Sequence, residues 1–269
     1  MAKQEPLRLS WWSGRPNFGD ALSPLVVSHV SGREVILGDR SEVDLFAVGS
    51  IMIRARRGYN QPQENRPTIW GTGMMGPHKT DFVDNVDFAA VRGPITASLL
   101  GLGQLPFGDP GLILSELAKT EVERGDRVGV IPHHGDFKDP QTKGQIAALP
   151  WSDDFVLIDP RNDDPLDVAD QIQACRHVFS ASLHGLIIAD AFGVPNTWVA
   201  GREIHSTASF KFLDYFLSVG RTYQAPIGFA DIVDAEKSVR SISALGYADG
   251  VASSRQALID AFPERLKAA

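Results

Sequence analysis

A single cysteine, Cys175, in 269 residues excludes an intramolecular disulfide framework and any cysteine-rich zinc site. It suits a reducing cytoplasm. Positive charge is outnumbered: 26 Lys and Arg against 33 Asp and Glu leave a net charge of −7. No basic face therefore offers itself to nucleic acid, and membrane contact is at most peripheral. No apolar run approaches the roughly 18 residues needed to span a bilayer. The amino-terminal stretch MAKQEPLRLSWW lacks the apolar centre of a signal peptide, and neither repeats nor low-complexity tracts occur. What remains is a cytoplasmic globular composition, 43% hydrophobic and 22% charged, with enough length for two domains that each bury a core.

Short apolar segments alternate with helical ones. Strands are predicted at 7–12, 44–49, 68–71, 88–92, 127–132, 155–158, 178–183 and 196–199, and helices at 20–30, 95–100, 141–149, 165–175, 186–192 and 210–218. A last amphipathic helix is predicted around 255–266, and Cys175 falls at the end of a predicted helix. Alternation of this kind implies an α/β protein whose parallel sheets are covered by helices on both faces. The stretch LAKTEVERGD, 117–126, is charged and aperiodic, so it is expected to link two Rossmann-like domains, 1–122 and 123–269, the second including the C-terminal helix.

The segment HVFSASLHGLIIADAFGVPN, 177–196, is read as a buried strand, a turn and a helix, with His184 at the junction. Anions gather there, because strand carboxyl ends and free N–H groups at helix starts favour negative charge. His184 either serves such an anion or merely caps the helix. Other strand ends look alike. SGRPNFGD, 13–20, offers Gly14 and Gly19 for tight turns, with Asn17 and Asp20 as helix caps or, for Asp20, a catalytic acid. Gly49-Ser50, Gly71-Thr72-Gly73 and Arg92-Gly93-Pro94 follow three more strands and clear space along one rim. Arg92 is either an anion clamp or a surface ion pair.

His133 and His134 end the first strand of the second half; as neighbours in an extended chain they point apart and make a poor metal pair, so no metal site is expected. Lys211 opens an amphipathic helix, where the dipole does not require a cation, and so either serves an anion or is an ordinary solvated lysine. Trp11, Trp12, Tyr59 and Trp70 lie near strand ends, available for sugar stacking or core packing. The loop RARRGYNQPQENR, 54–66, is locally basic and borders either an acceptor phosphate or solvent.

Taken in order, Asn17-Phe18-Gly19-Asp20, Val48-Gly49-Ser50, Trp70-Gly71-Thr72-Gly73-Met74, Val91-Arg92-Gly93-Pro94 with Thr96, Gly108-Asp109-Pro110-Gly111, Ile131-Pro132-His133-His134 and Ser180-Ala181-Ser182-Leu183-His184-Gly185 resemble the polysaccharide pyruvyltransferases. The resemblance runs from about residue 8 to about residue 220 and is nearest to bacterial exopolysaccharide enzymes of the succinoglycan and xanthan type. It implies a GT-B-like arrangement with the active site in an interdomain cleft. It also implies phosphoenolpyruvate as donor substrate, no metal or organic cofactor, and a pyruvate ketal commonly bridging positions 4 and 6 of a hexose. The acceptor it implies is a saccharide; the basic loop 54–66 is read as facing the phosphates of a lipid-linked form of it at the inner face of the cytoplasmic membrane, the alternative being a solvated loop.

Carried over by residue, Arg92 and His184 are expected to contact phosphoenolpyruvate and Asp20 to act as base. Asn17, Gly49, Ser50, Gly71, Thr72, His133, His134, Ser182 and Lys211 are expected to bind substrate. Two other functions share such a fold: a glycosyltransferase using a nucleotide sugar, and a non-catalytic saccharide-binding protein.

Overall fold

The computed structural model describes residues 5–118, 122–201 and 208–269. Leu7–Ser10 (β1) leads into Phe18–Ser31 (α1), then Val35–Leu37 (β2), Leu45–Phe46 (β3), Met52–Tyr59 (α2), Thr68–Trp70 (β4), Asp87–Ala90 (β5), Pro94–Leu100 (α3) and Leu114–Leu117 (α4). The second half runs Arg127–Ile131 (β6), Pro140–Ala147 (α5), Phe155–Leu157 (β7), Pro165–Gln173 (α6), Cys175–Ser180 (β8), Leu183–Ala191 (α7), Asn196–Trp198 (β9), Ala208–Ser218 (α8), Ile232–Val239 (α9) and Ala248–Asp260 (α10).

Two sheets result, ordered β2-β1-β3-β4-β5 and β7-β6-β8-β9, and every pairing between the named strands is parallel. Parallel strands lie between helical layers, which is why β4 is buried at every residue and β8 at all but one. In each sheet the order reverses beside the first strand, between β1 and β3 and again between β6 and β8. At such a reversal the loops leaving the strand ends diverge and open a crevice.

One hydrophobic cluster holds Leu9, Val48 and Trp70 from the first half together with Ile131, Val178 and Ile188 from the second. The end of the chain joins the same cluster. The Trp70 indole donates to the Leu258 carbonyl at 2.8 Å and meets Phe262 edge-to-face at 4.9 Å, while the Ala268 amide donates to Ser31 at 2.7 Å. The final helix thus packs on the first sheet. The charged stretch 117–126 falls between α4 and β6 and lies partly outside the described residues.

Several elements depart from the sequence expectations. Cys175 opens β8 instead of closing a helix; burial pushes its thiol up to about 12, so it is an inert core residue. The segment 54–66 is not wholly a loop, since its first half lies in α2. There Met52, Ala55 and Tyr59 form the buried stripe, and the intervening arginines obscured that periodicity. β2 was not anticipated; its Ile36 and Leu37 are exposed, as befits an edge strand with no alternating pattern. Helix α9 was likewise missed, and α10 starts seven residues before the expected 255.

Candidate active site

His184 is the second residue of α7, because β8 stops at Ser180 and a two-residue turn intervenes. The Ser180 hydroxyl accepts from the Ser182 amide at 3.1 Å and donates to the Ser182 carbonyl at 2.9 Å, which closes that turn. The Ser182 side chain makes no capping bond and stays partly exposed. The imidazole crosses to the first sheet's reversal point. A Cβ placed on Gly19 would sit 2.1 Å from its Nδ1, and one on Gly49 3.5 Å from its Cε1. Gly19 lies within α1, so it serves the approach of His184 and not a tight turn. Burial lowers the His184 pKa; the Asp109 carboxylate pulls it back up, and Lys211 and Arg92 push it further down.

Asn17 caps α1 by accepting from the Gly19 amide at 2.8 Å. Asp20, in the first turn, is therefore not the cap. Burial raises its pKa to about 6 against the opposing pull of Lys211 and Arg54. Lys211, in the first turn of α8, is not an ordinary solvated lysine: burial, then Arg92, bring it down to about 8, with Asp20 acting the other way. Lys211, on α8, thus shares a field with Asp20 on α1, Arg92 at the end of β5 and His184 on α7.

Arg92 is neither a free clamp nor a surface ion pair, for it has no exposed surface. Its Nε donates to Asp214 at 3.1 Å, Nη1 to the Ser50 hydroxyl and Nη2 to the Met74 carbonyl at 2.6 Å. Asp214, on α8, also accepts from the Thr96 amide at 2.9 Å and the Thr96 hydroxyl at 2.7 Å. A Cβ on Gly73 would meet the guanidinium carbon at 2.4 Å, so that glycine makes room for the protein's own arginine. In this conformation the Arg92 guanidinium is held by the protein's own acceptors. Gly71 and Thr72, expected to line the ligand site, are also braces. A Cβ on Gly71 would meet Pro110 at 2.3 Å, and the Thr72 hydroxyl donates to Gly49 and accepts from the Ile51 amide.

Beyond Lys211 a cavity of about 550 Å³ opens, lined by His133, His134, Asp136, Trp198 and Phe212 among others. The two histidines do not point apart. The chain turns after Ile131 and brings their rings to 4.0 Å, tilted by 46°. Asp136 accepts from the His133 amide at 2.7 Å, and burial raises its pKa to about 6. Trp198 stacks on Phe212 at 4.5 Å. Of the aromatics expected near a sugar, Tyr59 and Trp70 are core residues, whereas Trp12 is 48% exposed.

In the basic segment, Arg56 is engaged by Asp81 at 2.8 Å and Arg66 by Asp87 at 3.1 Å. Arg54 and Arg57 instead join Arg40 around a second cavity of about 640 Å³. Asp109 and Asp214 had no assigned role in the sequence reading. Asp109 stands inside a quoted motif, but nothing in the spacing says that it faces His184. Among the described residues no group of three or more His, Cys, Asp or Glu is placed to hold a metal ion, and no helix is long and apolar enough to cross a membrane.

The family model for polysaccharide pyruvyl transferases matches residues 17–202, a span that holds Asp20, Arg92, Asp109 and His184 and leaves out β1 and α8. The chain belongs to that family. It is 30% identical over 220 residues to the succinoglycan biosynthesis protein ExoV of Rhizobium meliloti, across 80% of this chain and 65% of that protein. It is 33% identical over 139 residues to the uncharacterized protein L143 of Acanthamoeba polyphaga mimivirus, 48% of this chain and 47% of that one. The chain thus spans less than two thirds of either relative's length. An uncharacterized protein of Klebsiella pneumoniae aligns over 77% of this chain and 88% of its own, at 15% identity and a TM-score of 0.45, a likeness too low to define the fold.

Proposed function

We propose that this protein transfers a pyruvyl group from phosphoenolpyruvate to a hexose of an exopolysaccharide repeat unit, forming a ketal across two hydroxyls, with positions 4 and 6 the expected pair, and releasing phosphate. The observation that carries the reading is the concentration of Lys211, Arg92 and His184 in one partly desolvated place, in a protein whose net charge is −7. Such a place favours a small, highly charged anion, and membership of the pyruvyl transferase family supplies the donor chemistry. No metal or organic cofactor enters the scheme.

A proton adds to the donor's methylene carbon and makes C2 electrophilic. One sugar hydroxyl bonds to C2 and gives up its proton; the C2–O bond to phosphate breaks and the phosphate takes that electron pair. The second hydroxyl then closes the ketal. Of the two hydroxyl protons, one balances the proton added to the methylene carbon and the other leaves with phosphate. Asp20, at about 6, is ionised at neutral pH yet more basic than an ordinary carboxylate, which suits it to accept the hydroxyl proton. His184 is neutral until the donor arrives; the anion raises its pKa, and the imidazolium then bonds the phosphate or delivers the methylene proton. Lys211 pairs with the donor's carboxylate or phosphate, and Arg92 stabilises that anion from behind.

On this reading the donor binds in a cleft between the two sheets, in a GT-B-like arrangement of two Rossmann-like domains. The cavity beyond Lys211, within the usual size of small-molecule sites, takes the hexose. Arg40, Arg54 and Arg57 face the phosphates of a lipid-linked acceptor, brought to the protein at the inner face of the cytoplasmic membrane. Incubation with phosphoenolpyruvate and a panel of galactosides and glucosides, free and lipid-diphosphate-linked, tests the reading through phosphate release and product mass. A ketal product is expected, formed faster on the lipid-linked acceptors. A protein that is stabilised thermally by UDP or GDP and not by phosphoenolpyruvate would be a glycosyltransferase instead.

A further inference from the structure

Two buried polar atoms at the centre of this site have no hydrogen-bond partner, and they face each other. Asp109 is fully buried just ahead of a short turn of 3-10 helix, Pro110–Ile113. Its Oδ1 accepts from the Gly111 amide at 3.0 Å, while its Oδ2 makes no bond. His184 Nε2 is likewise buried and unbonded, and it lies 3.9 Å from that Oδ2. Native interiors seldom leave one such atom unsatisfied, and each case asks for an explanation. Here two are left within about 1 Å of hydrogen-bonding range, a looseness common in unliganded sites that tighten around substrate.

We propose that Asp109 is the positioning residue for His184, holding the imidazole proton on Nε2 so that Nδ1 is the nitrogen that works on the ligand. The geometry leaves Nδ1 that role. The His184 side chain keeps 14% of its surface exposed, and none of it belongs to Nε2. Nδ1 lies over Gly19, one residue from Asp20. The charged groups acting on the ring are Asp109 before the 3-10 turn, Lys211 on α8 and Arg92 at the end of β5. Two of the three expel a proton, so the acid must be the one that lets an imidazolium form when a donor anion binds. With Nε2–H directed at Asp109, Nδ1 takes up the proton and presents it to the donor's phosphate or methylene carbon. The final step of that assignment rests on the pyruvyl transfer reading; the Asp109–His184 coupling does not.

The test is therefore made first without substrate. In protein labelled with 15N-histidine, with His184 assigned by its loss in His184→Gln, the wild type should show the neutral ring protonated at Nε2. Asp109→Asn keeps a side-chain oxygen for the Gly111 amide and removes the charge. His184 should then lose about tenfold or more of its proton affinity, on the order of one pKa unit. In an active assay kcat should fall at least tenfold, by the same reasoning, with KM for phosphoenolpyruvate little changed, and Asp109→Glu should recover part of it. A wild-type ring protonated at Nδ1, or a His184 titration unmoved in Asp109→Asn, overturns the proposal. If Asp109→Asn does not fold, the wild-type tautomer decides alone. If no ketal forms with any acceptor, the NMR result still stands for the coupled pair.

Discussion

The two ends of α7 meet buried carboxylates that are treated in opposite ways. Near the carboxyl end, Asp190 accepts from the Tyr215 hydroxyl at 2.7 Å, the Tyr247 hydroxyl at 2.8 Å and the Asn196 amide at 2.7 Å. Arg221 stands 4.0 Å away and itself donates to Asn196. Burial pushes Asp190 up, while Arg221 and those donors pull it down. At the amino end, Asp109 and His184 leave one atom each unbonded. The first network ties α7 to β9, α8 and the residue preceding α10, and it is complete. The second is incomplete: Asp109 Oδ2 and His184 Nε2 stand 3.9 Å apart, short of a bond, so this end lacks the rigidity that a satisfied polar network confers.

Substitution at each end should separate function from stability. His184→Ala breaks no hydrogen bond, so it should cost less folding stability than Asp190→Ala, while turnover should drop by about two to four powers of ten if the ring transfers a proton. A folded variant with near-normal turnover would take His184 out of the chemistry. Asp190→Ala should do the reverse. It strips three donors and Arg221 of their shared acceptor, and the expected loss is about 3–5 kcal/mol of folding stability, the scale for breaking a buried charged network. Urea denaturation measures it. If Asp190→Ala proves as stable as wild type, the contrast between the two ends is wrong.

Gly19 shows how far the sequence could be read. The NFGD run was legible as a helix start, with Asn17 as its cap, and so was His184 as the opening of a second helix, because capping residues and apolar spacing are local signals. The reason for the glycine was not legible. His184 lies 165 positions away, and only the packing of two sheets brings Nδ1 to 2.1 Å from where a Cβ would stand. Arg92 was legible only in part: a strand-end arginine reads as an anion clamp or a surface ion pair, and its burial against Asp214 from α8 has no local signature. An apolar run betrays even β4, buried at every residue, but pairings across the chain leave no mark in any window of residues. Gly19→Ala should therefore displace the imidazole and cost about 1–3 kcal/mol, as overpacking does, with turnover falling alongside. Full activity in that variant would mean that the ring's seat on α1 is irrelevant to the chemistry.

Lys211 offers the smallest effect and the finest distinction, because it belongs to the incomplete end yet its influence is purely electrostatic. With Asp20 at about 6 and required ionised, and Lys211 at about 8 and required charged, kcat/KM should trace a bell with limbs near those values. Lys211→Met should abolish the alkaline limb. It should also move the acid limb upward, since the lysine's charge, with that of Arg54, holds Asp20 below the position burial alone would give it. The stability change has the opposite sense. A lysine held below its ordinary 10.5 penalises the folded state wherever it is charged, fully so below about pH 8, and the penalty vanishes as pH climbs toward 10.5 and the unfolded lysine also loses its proton. The variant should thus be the more stable protein at pH 7, with its advantage shrinking between about pH 8 and 10.5. An acid limb that stays in place would uncouple Asp20 from α8, and equal stability at both pH values would make Lys211 an ordinary surface cation.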